Sequence, residues 1–269
     1  MTNADLGLCR SLLFLPASNP RAIAKARELP ADLVILDLED AVAEQDKEAA
    51  RAAAIEASRL GFGGRPAAIR INAVGSAHHE SDMRAARQSG AQLVILPKAE
   101  SLRDVEETKA GCGRPLAIMI ETPRGVLEAA GLAGASAALI AGTNDLGASL
   151  RIPPAAGRAG LAAALQQIVL AGRAAGIPVF DGVHNGLDDP AGLQAEAEEG
   201  RSFGFDGKSV IHPSQIDTVN RVFAPSPAEL SAAEALIAAA AGGAQRHKGQ
   251  MIEDLHVAQA RLLIARARR

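Results

Sequence analysis

Eight short apolar runs punctuate the chain: RSLLFLP (10–16), LVILDLE (33–39), AAIRIN (67–72), LVILPKA (93–99), LAIMIET (116–122), AALIAG (137–142), PVFDGV (178–183) and KSVIH (208–212). Each is continuous rather than alternating and is bounded by Pro, Gly or an acid, the pattern of strands buried on both faces of a parallel sheet. Between them lie Ala-rich stretches with helical periodicity, among them 19–29, 46–60, 157–175 and 190–203. Eight strand–helix repeats predict an α/β fold, a (β/α)8 TIM barrel over residues 1–224. An open doubly wound sheet is the alternative, but no GxGxxG follows the first run to support it. Past the eighth unit, Ser226-Pro227 opens the helical run AELSAAEALIAAAA, Gly242-Gly243 starts a polar bend, and a last helix is expected near 254–268. Residues 225–269 are therefore read as a C-terminal helical extension. Barrel closure does not require it and its face is apolar, so it is expected to pack on a neighbouring subunit.

Carboxylates stand where the runs stop. In a parallel α/β fold the C-terminal strand ends share one face, and ligands bind there. Glu121 ends the fifth run and Asp145 follows the sixth. Neighbouring strands lie about 5 Å apart, so the two acids can converge on one ion. With no Cys or His beside them, they are hard oxygen donors suited to Mg2+ or Mn2+ completed by waters and substrate oxygens. The alternative is that each merely caps the following helix.

Around this pair, Glu39 and Asp40 at the second strand end are placed to hold metal-bound waters. Arg70 lies inside an apolar strand, which is costly unless it is paired. Its planar fork suits a carboxylate or a developing enolate oxygen, the alternative being a structural pair with Glu39. Gly142 lets the backbone approach a ligand closely, so that the amides of Thr143, Asn144 and Asp145 can bind a substrate carboxylate at the same mouth, the alternative being an ordinary tight turn. Lys98 is either a Schiff-base lysine or, more commonly for such a residue, a charge balancer. His78 and His79 read as loop-surface residues, and His212 as one that orients the helix after the eighth strand.

Composition narrows the function classes. At 269 residues and 48% apolar content, one large core is affordable, and a formal charge of −3 leaves no basic footprint for nucleic acid. Aromatics are 2%, with no Trp or Tyr, which argues against base- or sugar-stacking platforms. Cys9 and Cys112 lack metal or redox spacing and read as reduced thiols of a cytoplasmic protein. No apolar run reaches membrane-span length, and the opening MTNADLGLCR lacks the charged and apolar regions of an export signal, so no membrane association is expected.

Taken together, RSLLFLPASNPR, ADLVILDLEDAV, IRIN, LPKAE, IETPRGV, GTNDLG, FDGKSVIHPSQI and MIEDLHVAQARLL resemble the HpcH/HpaI aldolase and citrate lyase superfamily, most of all its citrate lyase β-subunit-like and malyl-CoA lyase branch. The resemblance implies Mg2+ on Glu121 and Asp145, Arg70 polarising the substrate carbonyl or enolate, and waters held by Glu39 and Asp40. It also implies Arg10 and Lys25 toward the phosphates and adenine of CoA. The implied reaction makes or breaks a carbon–carbon bond between an acyl-CoA thioester and a keto acid. It implies a homotrimer or hexamer in which an Asp near the C-terminus, in the motif MID, crosses to a neighbour and exchanges the acyl methyl proton. Here the text is Met251-Ile252-Glu253-Asp254, so the aligned residue is Glu253, one methylene longer, with Asp254 beside it. The loop GTNDLG also departs from the commoner Glu-Asp pair by placing Asn144 before the metal Asp. A CoA-independent aldolase of pyruvate type, and a non-catalytic or acyl-carrier-protein-dependent subunit of a lyase complex, are the other readings.

Overall fold

The computed structural model describes residues 2–240, 242–247 and 250–267; position 268, the expected end of the last helix, lies outside them. The chain divides into two compact units, Met1–Asn220 and Arg221–Arg269.

In the first unit, α1 (Asn3–Leu6) precedes β1 (Ser11–Pro16). The chain then alternates through α2 (Pro20–Ala26), β2 (Leu33–Asp37), α3 (Lys47–Leu60), β3 (Ala67–Arg70), α4 (His79–Gln88), β4 (Leu93–Leu96), α5 (Leu102–Cys112), β5 (Leu116–Ile120), α6 (Pro123–Ala133) and β6 (Ala138–Ala141). A short α7 (Thr143–Ser149) and a 3-10 segment (Pro154–Leu161) interrupt the path to α8 (Ala162–Ala174). After it come β7 (Val179–Asp181), α9 (Pro190–Phe203), β8 (Gly207–Val210) and α10 (Ile216–Phe223). All eight strands are parallel and in sequence order, and β1 pairs with β8 to close the barrel, which sets aside the open sheet.

Side-chain alternation along each strand explains both the core and the site. Inward positions Leu12, Phe14, Leu33, Ile35, Ala68, Leu93, Ile95, Ala117, Met119, Ala138, Ile140 and Phe180 belong to one buried cluster. Small and large residues interdigitate between strands: Ala68 registers with Ile35 and Leu93, and Ala117 with Ile95. Two residues further up, the inward positions become Asp37, Arg70, Glu121 and Gly142. The apolar floor thus ends in a polar mouth at the C-terminal ends of the strands. Helices start abruptly there because Asn19, Ser101, Thr122 and Asp189 each cap the helix that follows with a side-chain oxygen, and Pro opens three of the four. Such a cap contributes about 1 kcal/mol.

A second polar cluster lies on the outward side of the barrel wall. Asp181 and Lys208 register on β7 and β8, both fully buried, with Lys208 Nζ 3.0 Å from Asp181 Oδ2. Arg158 donates to both Asp181 oxygens at 3.0 and 3.2 Å and to Glu199 at 2.6 Å. Glu196 on α9 stands 3.4 Å from Lys208 and 3.1 Å from His184. A Cβ on Gly200 would meet Asp181 Oδ2 at 2.6 Å, so α9 approaches this closely only because that position is glycine. The cluster ties the 3-10 segment and α9 to the barrel.

In the second unit, α11 (Pro227–Ala239) opens with a reciprocal capping box between Ser226 and Glu229 and packs against α12 (Asp254–Ala267). The polar bend expected after Gly242-Gly243 is instead followed by an antiparallel hairpin, β9 (Gln245–His247) with β10 (Gln250–Ile252). Its strands are three residues long and mostly polar, below the length at which alternation is readable. Among the described residues no helix is long and apolar enough to cross a membrane.

Candidate active site

A cavity of about 360 Å3 opens at the barrel mouth, lined by Asp37, Asp40, Arg70, Glu121, Gly142, Thr143, Asn144 and Asp145 on one side and by Phe14, Val183, Ser209 and Ile211 among others.

Arg70 is fixed by its register partner. Asp37 and Arg70 sit opposite each other on β2 and β3, and the guanidinium grips the carboxylate through two bonds, Nε to Oδ1 at 2.7 Å and Nη2 to Oδ2 at 2.5 Å. The structural pair with Glu39 weighed from sequence is present, at 3.2 Å from Nη1, but the bidentate partner is Asp37, which sequence alone did not single out. Asp37 also accepts from the backbone N–H groups of Glu39 and Ala41, so it shapes the loop that carries Glu39 and Asp40. With two guanidinium nitrogens committed to Asp37, Nη1 is left facing Glu39 Oε2 at 3.2 Å and the Met119 sulfur at 3.7 Å, while the Phe14 ring centroid lies 5.2 Å from Cζ. Burial works against the charge of Arg70, but the hydrogen bonds and charge of Asp37, with Glu39 and Asp40 behind, outweigh it and raise its pKa.

Glu121 is 3% exposed, and burial, reinforced by the charge of Glu39, pushes its carboxyl up to about 7. The backbone N–H of Lys98 donates to Glu121 Oε1 at 2.7 Å. Thr122, the next residue, caps α6 and so fixes where the carboxylate leaves the strand. The glycine at 142 is required by Glu121: a Cβ there would lie 2.3 Å from Glu121 Cβ and 2.4 Å from Oε2. Asp145, in the first turn of α7, shares the ammonium of Lys98 with the other acids, at 3.4 Å from Asp145, 3.0 Å from Glu39 and 3.7 Å from Asp40. Lys98 itself has left-handed backbone geometry, φ 51°, which turns β4 toward the mouth. Burial opposes its charge, but the Glu39 hydrogen bond and the surrounding carboxylates prevail and raise its pKa. Its ammonium is held among three carboxylates, the arrangement of a charge balancer. Glu39 is nearly buried, and desolvation, opposed by Arg70, raises its pKa. Its Oε2, despite the nearby Arg70, lacks a partner with hydrogen-bond geometry.

Sequence reasoning missed the support behind these residues. Lys47 is buried on α3 and donates to the backbone oxygens of Leu38 and Glu39 and to Asn72 at 2.7–2.8 Å. Asn72 bonds Asp82, which pairs with Arg51. His79 belongs to the same network, with Nδ1 2.8 Å from the Asn72 oxygen and Nε2 3.3 Å from Thr108 Oγ1. The surface reading of His79 is therefore wrong: its polar sequence neighbours hide an inward-facing first turn of α4. His78 is half-buried and meets Glu44. The only signal for Lys47 was its place shortly after the acidic strand end.

Other expected residues separate by position. Thr143, Asn144 and Asp145 open α7, where first-turn amides lack intrahelical partners, and all three residues line the cavity. The Asn144 side chain is committed to a reciprocal amide pair with Asn185, so only its backbone is available. His212 caps the turn after β8, as its sequence suggested. Arg10 does not reach the mouth. It precedes β1, at the opposite end of the barrel, and makes a bidentate pair with Asp32, which precedes β2. Lys25 is exposed in the last turn of α2, near Glu28; neither lines the cavity. Glu253 immediately precedes α12 in the second unit, and its backbone N–H donates to His256 Nδ1 at 2.9 Å.

Among the described residues no group of three or more His, Cys, Asp or Glu side chains gathers as a metal site. The donor set is instead two hard carboxylates at an opening, one of them seated in a glycine cradle, with a buried carboxylate oxygen at Glu39 that lacks a donor. That set fits a divalent cation whose remaining coordination is water or substrate oxygen.

Comparison with known proteins agrees with this geometry. A family model described as HpcH/HpaI aldolase/citrate lyase matches residues 10–213, and one described as C–C bond lyase of the TIM-barrel fold matches residues 159–269. The chain is 39% identical to a (3S)-malyl-CoA thioesterase of Cereibacter sphaeroides, over 96% of this chain and 94% of the relative. It superposes on CitE of Mycobacterium tuberculosis in complex with magnesium, acetoacetate and coenzyme A with a TM-score of 0.82 and 36% identity, over 97% and 98% of the two chains. A citrate lyase β subunit of the same organism, complexed with oxaloacetate and magnesium, gives a TM-score of 0.74 at 36% identity over 82% of this chain and all of the other. With a matching family model, a matching fold and a relative aligned almost end to end, the chain belongs to the HpcH/HpaI aldolase/citrate lyase family.

Proposed function

We propose that this protein is a Mg2+-dependent carbon–carbon lyase that cleaves or forms a 3-hydroxyacyl-CoA thioester from an acyl-CoA and a 2-keto acid. The observation that carries the reading is the convergence of Glu121, Asp145 and Arg70 on one cavity. Bound by the two carboxylates, Mg2+ supplies Lewis acidity toward keto and carboxylate oxygens. Glu121 is held by the Lys98 amide and the Gly142 cradle, so its carboxylate is oriented before any ligand arrives. Arg70, aligned by Asp37, offers Nη1 to the oxygen on which negative charge develops. Glu39 and Asp40 accept from waters at the rim, and the amides opening α7 receive the acid's carboxylate.

Glu253 is assigned the proton exchange at the acyl carbon, acting from a neighbouring subunit of a homotrimer or hexamer. Support for assembly comes from Met251, Leu255 and Leu262, large apolar residues exposed on the second unit. Lys25, exposed on α2, remains the candidate from the N-terminal segment for a CoA phosphate. A cytoplasmic location fits the two free, buried cysteines. Thioester hydrolysis after carbon–carbon bond formation is the second reading, favoured by the malyl-CoA thioesterase relative.

The test is incubation of the purified protein and Mg2+ with a panel of acyl-CoA esters and keto acids, read by mass spectrometry. A new hydroxyacyl-CoA mass, or its cleavage, supports the lyase; a free hydroxy diacid with free CoA supports the hydrolytic variant. No product from any pairing rejects both.

A further inference from the structure

At the mouth, the inward positions of β2, β3, β5 and β6 are Asp37, Arg70, Glu121 and Gly142, charged or glycine. From β7 through β8 to β1 the cavity wall is apolar, with Val183, Ile211 and Phe14. Ser209 is the exception on that arc. It registers with inward-facing Leu12 of β1, so its side chain points into the barrel. It is 2% exposed and lines the cavity. Among the described residues, its Oγ makes no hydrogen bond.

The other polar side chains of the cavity differ. Asp37 is bonded to Arg70, Thr143 donates to the Val183 oxygen, Asn144 pairs with Asn185, and Asp145 pairs with Lys98. A buried hydroxyl without a partner is destabilising. Alanine occupies equivalent inward positions at 68 and 117 without difficulty, so packing alone gives no reason for a hydroxyl here. A bound ligand supplies one. A small acid held by the charged arc directs its other end toward β8 and β1, where this is the hydrogen-bonding side chain it meets.

We propose that Ser209 is a substrate-binding residue whose hydroxyl donates to an acceptor oxygen at the end of the substrate remote from Glu121 and Asp145, selecting against ligands that are apolar there. This rests on the lyase reading above. Two groups carry such an oxygen: the far carboxylate of a dicarboxylic keto acid and the carbonyl of the thioester.

The experiment measures binding by calorimetry, with Mg2+ present, for wild type, Ser209→Ala and Ser209→Thr. One arm compares oxaloacetate with pyruvate, which lacks the far carboxylate. The other compares acetyl-CoA with the thioether ethyl-CoA, which lacks the carbonyl, in the presence of pyruvate. Ser209→Ala is expected to weaken one oxygen-bearing ligand about tenfold while leaving its matched analogue within about twofold, and Ser209→Thr to recover most of the loss. Which arm responds identifies the oxygen. The melting temperature of ligand-free Ser209→Ala is expected to equal or exceed that of wild type, because an unsatisfied buried group has been removed. Equal effects on both members of both pairs, or a lower melting temperature with uniform loss of binding, would overturn the proposal. Wild-type protein that binds none of the four ligands would instead reject the lyase reading itself, and this inference with it.

Discussion

Two of the barrel's clusters of buried charge, one behind β7 and β8 and one at the mouth, differ in balance and in access. Behind β7 and β8, Asp181, Glu196 and Glu199 meet Arg158, Lys208 and His184, and none of these residues lines the cavity. At the mouth, the ion pairs of Asp37, Glu39, Asp40 and Asp145 among the described residues are with Arg70 and Lys98, and Glu121 stands beside them without one. One of the two cations is already committed to Asp37, and the others remain undercompensated enough that burial raises Glu39 and pushes Glu121 up to about 7. A buried ion cluster alone therefore does not mark a functional site. A deficit of positive charge at an opening does, because a cation and an oxygen-rich ligand complete it.

The largest effect that sharpens this contrast is expected from Glu121→Gln. The fold is retained, because the amide keeps the shape of the side chain in the Gly142 cradle, while turnover falls by more than about 10³-fold. Steady-state assay with excess Mg2+ checks it, and near-normal turnover would remove the mouth from the reaction. Arg70→Lys comes next. Lysine keeps the charge but loses the fork that holds Asp37 while presenting a third nitrogen, and kcat is expected to drop about 10²–10³-fold. A wild-type rate would reduce Arg70 to a structural ion pair.

Lys208→Met tests the other cluster. It leaves Asp181 buried with Arg158 as its remaining cation, and unfolding is expected to become easier by about 3 kcal/mol, a melting-temperature loss of roughly 10 °C. Residual folded enzyme is expected to turn over within about twofold of wild type. A stable but inactive variant would mean that this cluster also serves chemistry.

The sequence made much of this legible for identifiable reasons. Strands buried on both faces leave continuous apolar runs, so the eight strands were readable, and an acid that ends such a run is necessarily at the mouth, which exposed Glu121 and Glu39. What was hidden depended on register or distance. Asp37 and Glu39 share a strand face in sequence, and only the pairing of β2 with β3 selects Asp37 as the partner of Arg70. Lys47 and Asn72 are 25 positions apart and meet only in the folded barrel. Arg10 was drawn toward CoA by resemblance, although a residue that precedes a barrel strand lies at the end remote from the site. Ser209 gave no signal, since one serine in an apolar strand is unremarkable until its hydroxyl is found without a partner.

A smaller effect concerns stability against pH in metal-free protein. Glu121 has a native value of about 7 against an ordinary 4.5, so between those values the folded state holds a proton that the unfolded chain has released. Its contribution to stability is fully present below about 4.5 and is lost as the pH rises through about 7. Denaturant unfolding between pH 5 and 8 should show wild type losing stability relative to Glu121→Gln, which does not titrate. Parallel profiles would place the undercompensated charge elsewhere.

The central claim is that the mouth is a charge-deficient site awaiting a divalent cation at Glu121 and Asp145. Calorimetric titration of the metal-free protein with Mg2+ between pH 5.5 and 8 tests it most directly, because the metal must displace the Glu121 proton. Affinity is predicted to rise about tenfold per pH unit below about 7 and to level off above it, with binding lost in Glu121→Gln. A pH-independent affinity, or equal binding by Glu121→Gln, would contradict the account.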